Sequence, residues 1–561
     1  MNITQKTKML VDELKTICAD AGLGNDGNEY KIITEVFLYK FMNDRFFWEI
    51  RKLGSKYQAA SASYLESMLA ALSDDEYKKL LQQLPESVAR LRREYFLSNL
   101  YNKQAGDSFK HGDKEYSDFA SYFDATLKAV SIENDDIFSV TTPEGVKIQL
   151  FNGISQYIIE PSKKDGFCRA IVGRLVEFNF GEAFEEKHDF YAVIFEHLIK
   201  DYNKNGGGKY AEYYTPRAVA KIMSEILVEG EVSNALCYDP SAGTGSLLMS
   251  LAHKIGEDRC TIYSQDMSQK SSTLLRMNLI LNGLAHSIPN VVQGNTITDP
   301  YHLTREKVSF DYIVSNPPFK LDFSEWRDSV DATRDSGSSV SSIHKRFFAG
   351  VPSVPNKDKD KMAIYLLFIQ HAIASLSDKG KAAIVVPTGF LTEGKGKETS
   401  IAHKIRKLLV DNGWLKAVVS MPSNIFATTG TNVSVLFIDK GNTSGKAVLV
   451  DASGLGTTIK EDKSQKTVLS REEEEKIVGA VHGLVDADGF SVVKIFAQIK
   501  EDKYSFNPGG YFDVKIERVD ITAEEFAGLV ASSESRLKGL FGESKDLETQ
   551  IIASLGRLKH E

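Results

Sequence analysis

Hydrophobic positions along this chain follow two different periods, and the change between them divides it. Up to about residue 165 the apolar residues recur at helix spacing. Met9, Leu10, Leu14 and Ile17 make one stripe, Ile32, Ile33, Val36, Phe37, Tyr39, Phe41 and Met42 a denser one, and Leu65, Met68, Leu69 and Leu72 a third. The aromatic residues Phe46, Phe47, Trp48, Tyr95 and Phe96 can stack on bases, but at this spacing they read as packed core. Polar stretches at 101–117 and 160–166 predict loops or a boundary, and 167–202 reads as helix ending in the glycine run 204–209, a hinge or entry loop.

Beyond that run the period shortens. Short apolar runs at 235–238, 260–264, 291–292, 310–314, 382–386, 415–420, 433–438 and 447–450 predict strands. Between them lie helical patterns: Val219, Ile222, Met223, Ile226 and Leu227; Leu274, Leu275, Leu279 and Leu281; 362–376; and 401–410. Thr215 is placed to cap the first of these helices, with Pro216 at its first position. Strands alternating with helices predict an α/β fold with a parallel sheet covered on both faces. A charged helix is expected at 471–478. From Ile521 to His560 one long helix is expected, with Val530, Leu537, Ile551 and Leu558 in heptad register, Leu540 and Leu547 between, and interruptions at Gly539, Gly542 and Ser544.

Two stretches carry chemistry. The strand at 310–314 runs into Asn316-Pro317-Pro318-Phe319. Two prolines stop a strand because they bring no N–H to the ladder and restrict the residue before them. The side-chain amide of Asn316, the carbonyl of Pro317 and the ring of Phe319 can hold a planar amine, such as the exocyclic amino group of a base. A strand-ending turn with a packed Phe is the alternative. The strand at 235–238 is followed by Asp239-Pro240-Ser241-Ala242-Gly243-Thr244-Gly245-Ser246 and then the helical run Leu247, Leu248 and Leu251. Strand, glycine turn and helix open a cofactor-binding unit, and Asp266 stands where a carboxylate grips a ribose hydroxyl. The third glycine of the dinucleotide fingerprint and the Gly-Lys-Ser/Thr of a P-loop are both missing.

Together, 239–246 and 316–319 resemble the motifs of S-adenosylmethionine-dependent DNA adenine-N6 methyltransferases. With Ala211-Glu212-Tyr213-Tyr214-Thr215-Pro216-Arg217 ahead of them, and a helical N-terminus, residues 1–450 resemble the modification subunit of type I restriction-modification systems. The resemblance implies an S-adenosylmethionine-dependent, Rossmann-like methyltransferase sheet, preceded by a helical N-terminal domain and followed by a C-terminal helical tail. It implies S-adenosyl-L-methionine bound by Tyr214, Thr215, Pro216, Asp239, Ser241, Gly243, Thr244, Gly245, Asp266 and Asn295. Asn316, Pro317, Pro318 and Phe319 are the implied catalytic set, with the target base flipped out of duplex DNA. At Gln293-Gly294-Asn295-Thr296 the family commonly has Gly-Asp-Thr; the Asn295 amide oxygen can still accept a hydrogen bond from the cofactor's adenine amino group, without the charge.

The same resemblance implies a separate specificity subunit, with two modification subunits to each, and in some complexes a restriction subunit. The C-terminal helix is then a partner helix; docking on this chain's own N-terminal helices is the other reading. The strands at 415–420 and 433–438 resemble the family's antiparallel edge hairpin, and Phe426 between them either flanks the flipped base or packs at the edge. The expected organisation is 1–165 helical, 166–452 catalytic, 453–520 a mixed closing segment, and 521–561 a partner-binding helix.

Composition adds constraints. The formal net charge is -8, whereas a chain that holds duplex DNA alone is usually basic. A local basic patch or a partner must therefore supply the grip. Residues 321–361, with Trp326, Arg327, Arg334, His344, Lys345 and Arg346, are either a loop that orders on phosphates or a solvated loop. Cys18, Cys168, Cys237 and Cys260 fall at no metal or disulfide spacing, so neither zinc nor a bridge is expected, and the setting is a reducing cytoplasm. Residues 1–14 carry Lys6, Lys8, Asp12 and Glu13, unlike a signal peptide. No run approaches the ~18 apolar residues of a membrane span. A stand-alone DNA adenine methyltransferase, a protein-glutamine methyltransferase and an idle DNA-complex scaffold remain as alternatives; the last two are disfavoured by Phe319 and by the intact motif set respectively.

Overall fold

The computed structural model describes residues 3–24, 27–58, 60–85, 87–106, 108–111, 113–141, 147–181, 184, 215–331, 342–426, 432–461, 464–512 and 522–555. They fall into two compact units, Met1–Tyr511 and Phe512–Glu561.

The first unit begins with the expected helices, Ile3–Asp20, Gly27–Lys52, Ala62–Ala71, Asp74–Gln82 and Phe119–Glu133. Phe46 and Phe96 are buried, and the ring of Phe47 lies 4.9 Å from that of Phe96, so this aromatic cluster is core. The stretch 101–117 is not wholly loop: β1 (Phe109–His111) pairs with β2 (Lys114–Tyr116). Its buried Phe109 is anchored against the rings of Phe119 and Tyr122. A second ribbon joins β3 (Val140–Thr141) to β4 (Lys147–Ile148). The loop expected at 160–166 is instead the start of a helix, Pro161–Val176, which crosses the 165/166 boundary. Pro161 suits a first turn, where its missing N–H costs nothing, and Phe167, Cys168, Ile171, Val172 and Leu175 bury one face. Most of the expected helix at 167–202, the glycine run and Tyr214 lie outside the described residues.

The α/β expectation holds. A nine-stranded sheet contains β5 (Ala235–Asp239), β6 (Cys260–Asp266), β7 (Val291–Gln293), β8 (Phe310–Ser315), β9 (Leu376–Pro387), β10 (Leu415–Ser420), β11 (Val433–Asp439), β12 (Lys446–Asp451) and β15 (Ser491–Ile495). A separate ribbon, β13 (Thr457–Glu461) with β14 (Ser464–Val468), lies between β12 and β15 in sequence. The sheet order is β15-β12-β10-β11-β9-β8-β5-β6-β7. From β9 to β7 every pairing is parallel.

The hairpin of β10 and β11 is antiparallel as expected, but it is not at an edge. β11 is antiparallel to both its neighbours, and β12 and β15 extend the sheet beyond β10. All seven residues of β11 are buried, which an edge strand does not allow. One strand of the expected closing segment, β15, is therefore part of the main sheet.

Arg406 fastens that region to the catalytic half. It is fully buried in the helix Ile401–Asp411 and donates to three main-chain carbonyls: Nε to Tyr504 at 2.8 Å, Nη2 to Glu393 at 2.8 Å, and Nη1 to Phe390. Burial pulls its guanidinium down to about 10, still charged at neutral pH. Its plane also lies near the rings of Phe390 and Phe506.

In the second unit one uninterrupted helix, Ala523–Leu555, runs through Gly539, Gly542 and Ser544. The heptad is interrupted there; the backbone is not. Thr522 and Glu525 form a reciprocal cap at its start. Val530, Leu537, Leu540, Leu547 and Ile551 are exposed on it.

Replacing Arg406 by Met leaves the buried Phe390 carbonyl without this donor and removes the bonds to the Glu393 and Tyr504 carbonyls. We expect Arg406→Met to destabilise the first unit by about 3 kcal/mol or more, seen as a lower urea midpoint at unchanged slope.

Candidate active site

Between β5 and β8 the chain order reverses: β6 and β7 follow β5 on one side, while β9 lies beyond β8 on the other. Loops leaving the carboxyl ends of strands diverge at such a point and leave a crevice. A cavity of about 700 Å³ lies here, within the range of small-molecule sites. Its walls include Thr215, Asp239, Ser241, Gly243, Asp266, Asn295, Asn316, Pro317, Pro318 and Phe319.

The glycine turn forms one wall. Asp239 ends β5, is buried, and its Oδ1 accepts from the backbone N–H of Ser241 at 2.9 Å. Ser241 Oγ lies 2.7 Å from Ser315 Oγ, which bridges the reversal point. Gly243 donates its N–H to Asp266 Oδ2 at 2.9 Å, while Asp266 Oδ1 accepts from Ser268 N at 2.8 Å. Gly245 adopts a left-handed conformation, φ +83°, and a Cβ there would stand 2.2 Å from Leu275 Cδ1. Of the expected cofactor-binding set, Pro216, Thr244 and Gly245 do not line the cavity. Gly245 and Thr244 instead shape the turn from behind; the Thr244 carbonyl accepts from Asn278 Nδ2.

Burial pushes the Asp239 carboxyl up to about 7, opposed by the Ser241 N–H and reinforced by the charge of Asp266. Burial also raises Asp266, against the bonds it accepts from Ser268 and Gly243. A cationic ligand beside these two carboxyl groups would favour their ionised forms.

The two amide side chains of the cavity present opposite ends. Asn295 Oδ1 accepts from the backbone N–H groups of Ile297 at 3.0 Å and Thr298 at 3.3 Å. Backbone N–H groups can only donate, so this oxygen is fixed toward the turn. The buried Nδ2 is left without a partner. The expectation is that the Asn295 oxygen receives the cofactor's adenine amino group; in this structure that oxygen accepts two backbone N–H groups. Asn316 is the reverse. Its Nδ2 donates to Thr215 Oγ1 at 3.2 Å, which leaves Oδ1 as the acceptor.

Thr215 also differs from expectation at the helix start. The helix is Arg217–Leu227 with Pro216 as its cap, the Pro216 carbonyl accepts from Ala220 N at 3.0 Å, and no side chain caps it. Thr215 is one position too early to cap, and its hydroxyl meets Asn316 instead.

The other wall is aromatic. Phe319 meets Tyr365 edge-on with ring centres 6.3 Å apart, and Tyr365 meets Phe390 at 6.2 Å. Tyr365 Oη donates to Glu393 Oε2 at 3.2 Å. Phe368 and Phe426 also line the cavity. Tyr365, Phe368, Phe390 and Glu393 were not anticipated. The first three sit in apolar segments where spacing reads as core, and no sequence signal separates core from cavity wall there.

The described parts of the segment, 321–331 and 342–361, are packed rather than merely solvated. Phe323, Val330, Phe347, Val351 and Met362 form a small core with Ile297. Arg327 pairs with Asp331 at 2.7 Å and donates to the carbonyls of Val351 and Pro352. The buried Arg346 donates to the carbonyls of Thr296 and Ile297, and so braces the turn that orients Asn295. Lys345 is exposed, and Arg334 lies outside the described residues.

Comparison with known proteins agrees with this geometry. The methylase subunit of the type I restriction enzyme MpnII of Mycoplasma pneumoniae is 27% identical over 371 residues, 65% of this chain and 64% of that protein. That of MjaVII from Methanocaldococcus jannaschii is 24% identical over 548 residues, 95% of this chain and 83% of its own. Against MpnII and MjaIX the match spans 64% and 66% of the relative's length, just under two thirds. In fold, the chain is similar to the type I restriction-modification methyltransferase subunit from Streptococcus thermophilus: TM-score 0.67 at 20% identity, covering 91% of this chain and 100% of that one. The pattern of the N-6 DNA Methylase family matches residues 186–520. With its Asn-Pro-Pro-Phe tip set beside a glycine turn at the reversal of the sheet, this chain belongs to the N-6 DNA Methylase family.

Proposed function

We propose that this protein transfers a methyl group from S-adenosyl-L-methionine to the N6 amine of an adenine flipped out of duplex DNA. It does so as the modification subunit of a type I restriction-modification complex. The observation that carries the reading is Asn316, held at the end of β8 with its amide nitrogen engaged and its oxygen left to a cavity shared with the glycine turn.

The residues present fit the cofactor. Asp266 keeps lone pairs for ribose hydroxyls beyond the two backbone bonds it accepts. The unpartnered Asn295 Nδ2 suits a ring nitrogen of adenine, and the Asp239 and Asp266 carboxyls suit a cation. When bound, S-adenosylmethionine supplies a methyl group on a positively charged sulfur.

The chain's own residues have the harder task, because the N6 lone pair of adenine is delocalised into its ring. Asn316 Oδ1 and the Pro317 carbonyl accept the two N–H bonds and pull the nitrogen toward a tetrahedral shape. Its lone pair is then free to attack in line. Phe319, backed by Tyr365, stacks on the base and compensates for the stacking lost on flipping. Pro318, exposed beside them, holds the tip rigid.

An acidic chain, which needs a local basic patch or a partner to hold DNA, fits a complex in which a separate specificity subunit reads the site. Two modification subunits would serve each specificity subunit, with a restriction subunit added in the full enzyme. The apolar residues exposed on Ala523–Leu555 are suited to a partner helix. The organisation proposed is a helical domain 1–165, a catalytic domain 166–452, a closing segment 453–520 that lends β15 to the sheet, and the helix 521–561. No helix among the described residues is long and apolar enough to cross a membrane, in keeping with a cytoplasmic setting.

The test is transfer of labelled methyl from S-adenosylmethionine to duplex DNA, by this chain alone and with the specificity subunit encoded beside it. Label in N6-methyladenine only with the partner is the expected result; label in protein, or none, overturns the reading. Asn316→Ala should reduce turnover by about 100-fold or more while leaving cofactor affinity within about threefold. Gly245→Val should weaken S-adenosylmethionine binding by at least about tenfold in calorimetry, because a side chain there strains the turn and strikes Leu275.

A further inference from the structure

Thr215 stands one residue before the helix Arg217–Leu227, is 5% exposed, and lines the same cavity as Asn316. Its hydroxyl oxygen receives Asn316 Nδ2 across 101 residues of sequence. A carboxamide has two ends of similar shape and opposite polarity. Turned the right way, Asn316 offers the target amine a carbonyl oxygen; turned through half a rotation, it offers a second N–H group. Donor would then face donor, and the amine could not be drawn toward a tetrahedral nitrogen.

We infer that Thr215 is a positioning residue for methyl transfer: its hydroxyl bonds the Asn316 amide nitrogen and anchors that side chain at the cavity. This rests on the reading that Asn316 receives the target amine. The residue type suits the task. A threonine side chain is stiff about χ1, and the residue before a proline is confined to extended backbone, so the hydroxyl is restrained both by its own branching and by Pro216. Asn295 is anchored likewise, by two backbone N–H groups on its oxygen.

This role is separable from direct contact with the cofactor. The experiment is steady-state methyl transfer to duplex DNA by the full chain with its specificity subunit, together with the S-adenosylmethionine Kd of each variant. Valine keeps the shape of threonine and removes the acceptor; serine keeps the acceptor. Thr215→Val should lower kcat by about tenfold or more, with cofactor Kd and KM for DNA within about twofold, and Thr215→Ser should stay within about threefold of the parent.

Unchanged kcat in Thr215→Val overturns the inference. So does a loss that saturating S-adenosylmethionine restores, which would make Thr215 a cofactor contact, or an equal loss in Thr215→Ser. Retained cofactor affinity certifies that the variant is folded; if Thr215→Val does not fold, Thr215→Ala against Thr215→Ser gives the same contrast. A parent protein that moves no methyl to adenine overturns the function beneath the inference, and that failure is seen before any variant is made.

Discussion

β8 has to stop where it does. Asn316 comes after a strand whose last residues are buried, and the Pro317 and Pro318 beyond it can extend neither strand nor helix. The polar groups at that point are therefore delivered to the carboxyl edge of the sheet and nowhere else. Because β5 ends beside β8 and its chain departs to the opposite side, the glycine turn and the Asn-Pro-Pro-Phe tip share one crevice. The Ser241–Ser315 contact at 2.7 Å ties the turn to the end of β8.

Around that crevice, much of the polar structure holds side chains in place. Asn295 is held through its oxygen by two backbone N–H groups, and Asn316 through its nitrogen by the Thr215 hydroxyl. Behind Asn295 stands Arg346, whose guanidinium binds the carbonyls of the adjoining turn. Arg406 does the equivalent for the loop carrying Phe390 and Glu393. Both arginines belong to stretches where a surface role would have been natural, and both are buried. The Thr296, Ile297 and Phe390 carbonyls lie on buried residues, and a charged donor inside the protein satisfies them.

The structure also redistributes the sheet. The hairpin of β10 and β11 is central, and the strand Ser491–Ile495 closes the far side by pairing with β12. Much of the chain between residue 452 and the end of the first unit is thereby tied to the catalytic half, and Arg406 reaches from one part to the other through the Tyr504 carbonyl. The long helix Ala523–Leu555 is of another kind, with large apolar side chains exposed along most of its length.

What the sequence by itself determined was the α/β alternation, the glycine turn, the Asn-Pro-Pro-Phe tip and the carboxylate at Asp266. Each is written in local terms: a period, a residue that cannot extend a ladder, a turn that needs positive φ. Tertiary structure alone decided what each amide side chain bonds, that Thr215 meets Asn316 rather than capping a helix, that Tyr365 and Phe390 line a wall, and that Arg327 and Arg346 turn inward. Those outcomes depend on hydrogen-bond partners as far as 101 residues away and on the packing of apolar side chains whose spacing is the same whether they meet a core or a ligand. Local pattern carries no information on either.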